Sequence, residues 1–149
     1  MVSGVKQTIV TYLGGAKLLK LKSVDDPLTF HKIVSEGFPA KCVLEFKELS
    51  GFSNVEVSEA LGVSEKTFIR WRADPKKRID PVVSDRLYRT AKALALAEEV
   101  LEDPALAREW LNEPQFGLGN EIPRELLTTD AGSREVEDLL LRMEHGYLA

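Results

Sequence analysis

The sequence predicts an all-α protein, and three observations carry that prediction. No segment of useful length alternates apolar and polar residues with period two, as a half-buried strand would. Apolar residues instead recur at i, i+3 and i+4, as in Phe30, Ile33 and Val34. Helix punctuation frames these windows, with Asp-Pro pairs at 26–27, 80–81 and 103–104 and glycines at 37, 51, 62 and 146. Aspartate caps free N–H groups while proline tolerates the first helical position, and a glycine past the last apolar residue ends the run.

Residues 1–25 contain Gly4, Gly14 and Gly15 without a clean helical stripe, and they read as a poorly ordered or loosely docked arm. A first helix is expected from Asp26-Pro27 to Gly37. A second should begin near Pro39, with Val43, Leu44, Phe46 and Leu49 inward and Gly51 as its stop. Two short helices follow, at 54–61 and 65–72, split at Gly62. The stretch 73–78 is a polar turn, and Asp80-Pro81 opens a long helix with Val83, Leu87, Ala91, Leu94 and Leu101 on one stripe. That helix should stop before Pro104, whose ring blocks continuation from the preceding turn. A short helix then runs to about residue 111, followed by a loop over 112–122 and another short helix over 123–128. The last helix is expected over 134–145, capped by Ser133 and ended by Gly146. Leu94, Leu106, Trp110, Leu126, Leu127, Val136, Leu140 and Met143 form the expected core of the C-terminal part. The chain divides on this reading into an arm (1–25), a central domain (26–90) and a C-terminal domain (91–149).

Composition narrows the function classes. With 149 residues the chain has room for one domain, or two very small ones sharing a core. Its single cysteine, Cys42, excludes an internal disulfide and a cysteine-based zinc site. No stretch approaches the ~18 consecutive apolar residues of a membrane helix, and the first 20 residues lack the apolar run of a signal peptide, so the cytoplasm is the expected compartment and no membrane partner is expected.

The net charge of −4 is unevenly placed. Residues 1–63 balance at zero, with seven basic and seven acidic side chains; residues 64–90 carry eight against four, or +4; residues 91–149 carry five against thirteen, or −8. A basic centre joined to an acidic C-terminal part implies two different binding surfaces.

Val57, Leu61, Val63, Phe68 and Trp71, with Gly62 among them, have the spacing of two short helices crossing over a shared apolar centre. The turn between such helices needs a residue at positive φ, which costs a side chain with a Cβ about 1–2 kcal/mol. Ser64 is placed to cap the second helix. Lys66, Thr67, Arg70 and Arg72 then project outward, and Lys76 and Lys77 follow on the exit loop. In a helix-turn-helix the second helix enters the major groove, where arginine suits guanine and lysine or threonine suits phosphates or single base contacts. These six residues are the candidate DNA-binding set. Ser58 stands where this motif more often has alanine, which predicts a slightly wider helix approach. Arg86 and Arg89 admit two roles, phosphate contact or plain surface.

The C-terminal part sets Trp110-Leu111, Pro114, Leu118-Gly119, Pro123, Leu126-Leu127, Gly132, Val136, Leu140 and Gly146 in one order. With these residues it resembles the toxin-binding domain of the Xre/MbcA/ParS antitoxin family. Residues 28–90 look like the family's Xre-type helix-turn-helix, centred on Leu61-Gly62-Val63-Ser64 and Arg70-Trp71. One departure is Gly117-Leu118-Gly119-Asn120, where the family usually has Leu-Gly-Gly. The resemblance implies a type II antitoxin that binds a RES-domain toxin, an enzyme that consumes NAD, and represses its own operon. It also implies a toxin-binding surface in the C-terminal domain, with a terminus able to reach the toxin's cleft. Leu141, Glu144, His145, Tyr147, Leu148 and Ala149 are the candidate toxin-binding residues. A homodimer is expected, because one short recognition helix reads too few base pairs. The competing reading is a stand-alone helix-turn-helix regulator whose acidic domain only dimerises.

No catalytic, metal or cofactor site is expected. His31 and His145 lie in different parts of the chain without a nucleophile and carboxylate at useful spacing. Cys42 beside Val43 and Leu44 reads as a small buried hydrophobe. Glu98-Glu99, Glu102-Asp103 and Glu137-Asp138 lack the glycine-centred ligand loop of an EF-hand, and the paired glycines lack the strand and lysine of a phosphate loop.

Overall fold

The computed structural model describes residues 2–146, with side chains from residue 4 onward. The predicted long helix, α7 (Pro81–Leu101), is the axis of the molecule. It begins as its sequence requires, with Asp80 accepting from the Val83 N–H at 2.8 Å and Pro81 in the first turn. Its buried residues include Val83, Leu87, Ala91, Ala93, Leu94 and Ala97, so more than one face is covered. α1 (Val2–Tyr12), α3 (Thr29–Glu36), α5 (Asn54–Leu61), α8 (Pro104–Asn112) and α10 (Asp130–Glu144) all pack on it. The chain order is completed by α2 (Ala16–Leu19), α4 (Ala40–Ser50), α6 (Glu65–Ala73) and α9 (Pro123–Leu126), with a 3-10 turn at Phe116–Leu118. Among the described residues there is no strand, only two isolated β-bridges, and no helix is long and apolar enough to cross a membrane.

The N-terminal arm departs from the sequence expectation. It forms two helices, and Val5, Ile9, Val10, Tyr12 and Leu13 are buried against the common core. Burying side chains such as Ile9 and Leu13 contributes about 1.5–3 kcal/mol each, enough to hold an 11-residue helix that is too short to persist alone. The Tyr12 hydroxyl also donates to Glu98 Oε2 at 2.6 Å, tying α1 to α7. The paired glycines mark a turn between helices here, with φ of 109° at Gly14 and 99° at Gly15.

Other differences are local. α3 starts at Thr29, because Asp26 caps the preceding turn through the Leu28 N–H at 2.9 Å. Leu49 and Leu106, expected inward, are 50% and 48% exposed. α10 starts at Asp130, four residues before its expected start, with Thr129 as cap accepting from the Gly132 N–H at 3.0 Å. Ser133 therefore sits buried inside the helix. Gly132 permits this early start, since a Cβ there would lie 2.1 Å from the Leu126 carbonyl oxygen.

The division expected after residue 90 falls inside α7, which is shared by both parts. Polar clamps reinforce that sharing. Arg86 donates to the carbonyls of Leu61 and Thr128, each at 3.2 Å, and Arg89 donates to the Leu127 carbonyl at 3.4 Å while pairing with Asp85. The two roles expected of these arginines, phosphate contact or plain surface, do not include these internal bonds to backbone carbonyls. Lys92 pairs with Glu137 at 2.7 Å, and Arg124 pairs with Glu59 at 2.9 Å.

Candidate DNA-binding and partner surfaces

The helix pair α5–α6 is built from strong local signals. Ser53 accepts from the Glu56 N–H at 3.1 Å while Glu56 Oε1 accepts from the Ser53 N–H at 2.8 Å, a reciprocal capping box. Gly62 closes α5 in the left-handed region with φ 67°, and the Val63 N–H then donates to the Ser58 carbonyl at 3.0 Å. Val57, Leu61, Phe68 and Trp71 are buried beneath the turn, and the last two stack edge-to-face at 5.4 Å. Ser58 is buried as well, and its hydroxyl finds no hydrogen-bond partner.

On the outer side of α6, Lys66 and Arg70 are exposed and Thr67 is half-buried. Ser64 occupies the cap position, yet its hydroxyl engages the Thr67 hydroxyl at 3.2 Å and caps no backbone N–H. Arg70 Nη2 donates to the same Thr67 oxygen at 3.3 Å. The three residues form a polar ridge at i, i+3 and i+6, which orients the Arg70 guanidinium before any ligand arrives. Arg72 lies off this ridge, because two residues along a helix turn a side chain by about 200°. Beside the ridge Ile69 is 66% exposed, an apolar side chain that the charge-based reading passed over.

Lys76 and Lys77 are exposed on the loop leaving α6. That loop is held to the start of α4: the Ala40 N–H donates to the Lys77 carbonyl and the Lys41 N–H to the Pro75 carbonyl, both at 2.8 Å. Arg78 Nη1 donates to the Gly37 carbonyl at 2.6 Å. The two lysines thus stand on a pinned loop next to α6.

The other candidate set lies at the far end of α10. Leu141 is 40% exposed, Glu144 is half-buried and His145 is exposed at the C-cap, where its N–H donates to the Leu141 carbonyl at 3.1 Å. Tyr147, Leu148 and Ala149 lie outside the described residues. A further residue, Phe116, was not among the candidates and is 84% exposed. Its loop is well tied: the Gln115 N–H donates to the Glu121 carbonyl at 3.0 Å, the Asn120 N–H to the Gln115 carbonyl at 2.9 Å, and Gln115 Nε2 to the Trp110 carbonyl at 2.9 Å. The 3-10 turn carrying Phe116 packs on α10. A rigidly presented, solvent-facing aromatic is the kind of side chain that anchors protein interfaces. The only advance signal is an aromatic residue in a Pro/Gly loop.

The residues considered for other chemistry have structural work. Burial pushes the Cys42 thiol up to about 12, as suits an inert core residue. Glu98 accepts from Tyr12, Glu137 pairs with Lys92, and Asp103 caps α8 through the Ala105 and Leu106 N–H groups.

Comparison with known proteins assigns both halves. Residues 29–92 match the family described as the antitoxin Xre-like helix-turn-helix domain. Residues 96–146 match the antitoxin Xre/MbcA/ParS C-terminal toxin-binding domain. Proteins named antitoxin Xre from three bacteria are similar along most of the chain. The Pseudomonas putida protein is 27% identical over 130 residues, covering 87% of this chain and 80% of its own length. That from Photorhabdus laumondii is 27% identical over 78% of this chain and 79% of its own, and that from Yersinia enterocolitica 29% identical over 76% of each.

Proposed function

Because the chain belongs to the Xre family of antitoxins, with a helix-turn-helix and a toxin-binding domain, we propose that it neutralises a RES-domain, NAD-consuming toxin and represses its own operon as a homodimer. The observation that carries this reading is the pairing of two unlike surfaces on one body. A basic ridge and loop surround α6, while the −8 block of residues 91–149 presents exposed apolar anchors in an acidic setting.

Lys66, Thr67 and Arg70 enter the major groove, with Arg70 aimed at a guanine edge and Ile69 beside it suited to a thymine methyl. Arg72, Lys76 and Lys77 meet phosphates, which position the protein without reading sequence. Acidic residues steer a basic toxin surface toward the C-terminal domain, where Leu141, Glu144, His145 and Phe116 make contact. Tyr147, Leu148 and Ala149 follow α10 and cover the toxin's substrate cleft, so inhibition is by occlusion.

Co-expression with the product of the adjacent gene tests this reading. A stable complex whose toxin regains NAD consumption when the antitoxin is removed supports it. A chain that purifies alone as a dimer, binds DNA and leaves every neighbouring gene product free would establish the stand-alone regulator instead.

A further inference from the structure

A groove of about 820 Å³ lies between the N-terminal segment and the loop leaving α6. Its cationic lining comprises Lys20, Lys22, Lys32, Lys41, Lys76 and Arg78, against only Asp26 and Glu36. Asp26 is matched by Lys32 at 3.6 Å, and Arg78 is held by the Gly37 carbonyl. Lys20, Lys22, Lys41 and Lys76 are exposed and have no ion-pair partner among the described residues.

Two features give this excess a direction. Lys20 closes α2 with φ 57°, a left-handed position where glycine is the usual occupant. The chain keeps a lysine there, on the groove wall, despite the conformational cost. Lys76 belongs both to the groove and to the loop beside the DNA-reading helix, so the groove continues the α6 surface. The hydrogen bond from the Lys41 N–H to the Pro75 carbonyl fixes the two walls to each other. Unpaired ammonium groups spread along an open trough suit a row of phosphates better than one small anion, since no buried donor marks a single binding point.

We propose that this groove carries the phosphate backbone of duplex DNA flanking the segment that α6 reads, with Lys20, Lys22 and Lys41 as its contacts. Residues 16–28 lie outside both matched domains, so this assigns the N-terminal segment a part in operator binding. The inference rests on α6 binding DNA.

The test measures binding of the full chain to duplexes from the promoter upstream of its own gene, over a range of salt. One duplex spans the protected bases alone and the other adds about one helical turn on each side. The variant Lys20→Gly/Lys22→Ala/Lys41→Ala removes three contacts from each protomer and should reduce the magnitude of the slope of log K against log salt by about 5.4 for the dimer on the long duplex, about 0.9 for each lost phosphate contact. On the trimmed duplex it should match the wild type. Lys22→Ala/Lys41→Ala, which leaves the Lys20 turn untouched, should reduce it by about 3.6 for the dimer, and Lys→Arg replacements should preserve it. Equal slopes for wild type and both alanine variants on the long duplex would overturn the groove while leaving the α6 reading intact. A wild-type protein that binds no promoter duplex in preference to random DNA would overturn both.

Discussion

Arg124→Met offers a direct measure of how firmly the helix-turn-helix is fastened to the C-terminal part. The substitution keeps an aliphatic stem and removes the guanidinium. In the native protein Arg124 is 9% exposed as a whole residue. Its Nη2 meets Glu59 Oε1 on α5 at 2.9 Å, and its Nη1 meets the carbonyl and side-chain oxygens of Asn112 at 3.2 Å. The Glu59 side chain is 41% exposed, so solvent screens that pair to about 1 kcal/mol. The two Asn112 contacts are long and together count for about 2 kcal/mol, toward the lower end for hydrogen bonds to a charged group. Against these stands Nε, buried without a partner, whose desolvation cost of about 1 kcal/mol disappears with the guanidinium. The net loss is about 2 kcal/mol, which for a chain of 149 residues lowers the melting temperature by about 4–8 °C. Thermal unfolding followed by circular dichroism reads this directly. A double-mutant cycle with Glu59→Gln should return a coupling of about 1 kcal/mol. A melting temperature within about 1 °C of wild type would refute the arithmetic. A destabilised variant with zero coupling to Glu59 would show that Arg124 acts through its Asn112 hydrogen bonds and packing and not through the ion pair.

On the DNA side, Arg70→Ala should cost about 1–3 kcal/mol on the specific site with little change on random DNA, while Lys76→Ala should weaken both alike and flatten the salt dependence. Equal effects of the two substitutions in competition assays would refute the assigned roles. For the toxin surface, Phe116→Ala should raise the dissociation constant of the complex by about 30-fold, or about 2 kcal/mol, yet leave the melting temperature of the free antitoxin unchanged, since the ring is 84% exposed. Removing Tyr147, Leu148 and Ala149 should leave the complex assembled but restore toxin NAD consumption, and unchanged inhibition would end the occlusion reading. Alkaline pH should destabilise the fold in a defined window. Burial raises the Cys42 thiol from 9.0 to about 12 in the native state, so the unfolded chain releases this proton first. Stability is then full below pH 9 and declines as pH rises toward 12. Tyr12, raised from 10.0 by burial and by Glu98, acts in the same direction. Urea unfolding of wild type and Cys42→Ala at pH 8 and pH 10.5 checks this, and identical losses in the two proteins would remove Cys42 from the account.

Helix boundaries were legible at most termini whose chemistry is local, Asp26-Pro27 excepted, which caps a turn ahead of α3. Asp80-Pro81 and Asp103-Pro104 start helices because the capping carboxylate and the proline act within one turn, and Gly37, Gly51 and Gly62 end them for the same reason. Burial was less legible, since a stripe shows which residues share a helix face but not how much of that face a neighbour covers. Leu49 and Leu106 continue apolar stripes past the edge of the contact. In α1 the reverse holds: Val5, Ile9 and Leu13 do form a stripe, but three nearby glycines and the polar residues between them resemble a loop until α7 is present to cover it. Thr129 and Ser133 are chemically equivalent caps, and the choice between them rests on the approach of the Leu126 carbonyl to Gly132, a contact between two helices. The candidate site followed the same rule. The outward placing of Lys66, Thr67 and Arg70 comes from helical spacing alone, whereas the exposure of Phe116 depends on how its loop is tied back to Trp110 and Glu121.

Charge also changes meaning once partners are visible. The eight cations of residues 64–90 are a composite, because Arg86 and Arg89 turn inward to backbone carbonyls. Arg86 sits where the Leu61 carbonyl, one residue before the Gly62 turn, and the Thr128 carbonyl, one residue before the cap of α10, point toward the same place. Its guanidinium supplies N–H groups to both helix ends, so a charge that reads as DNA-facing stabilises a junction. With Arg124 and Lys92 added, three cations from the basic and acidic blocks join α5 to α9, and α7 to α5, to the turn between α9 and α10, and to α10. The two surfaces consequently share one rigid support with no linker between them. A partner seated on α10 is carried at a fixed orientation to α6, and substitutions at these clamps should disturb both surfaces together while those on the α6 ridge or at Phe116 should separate them.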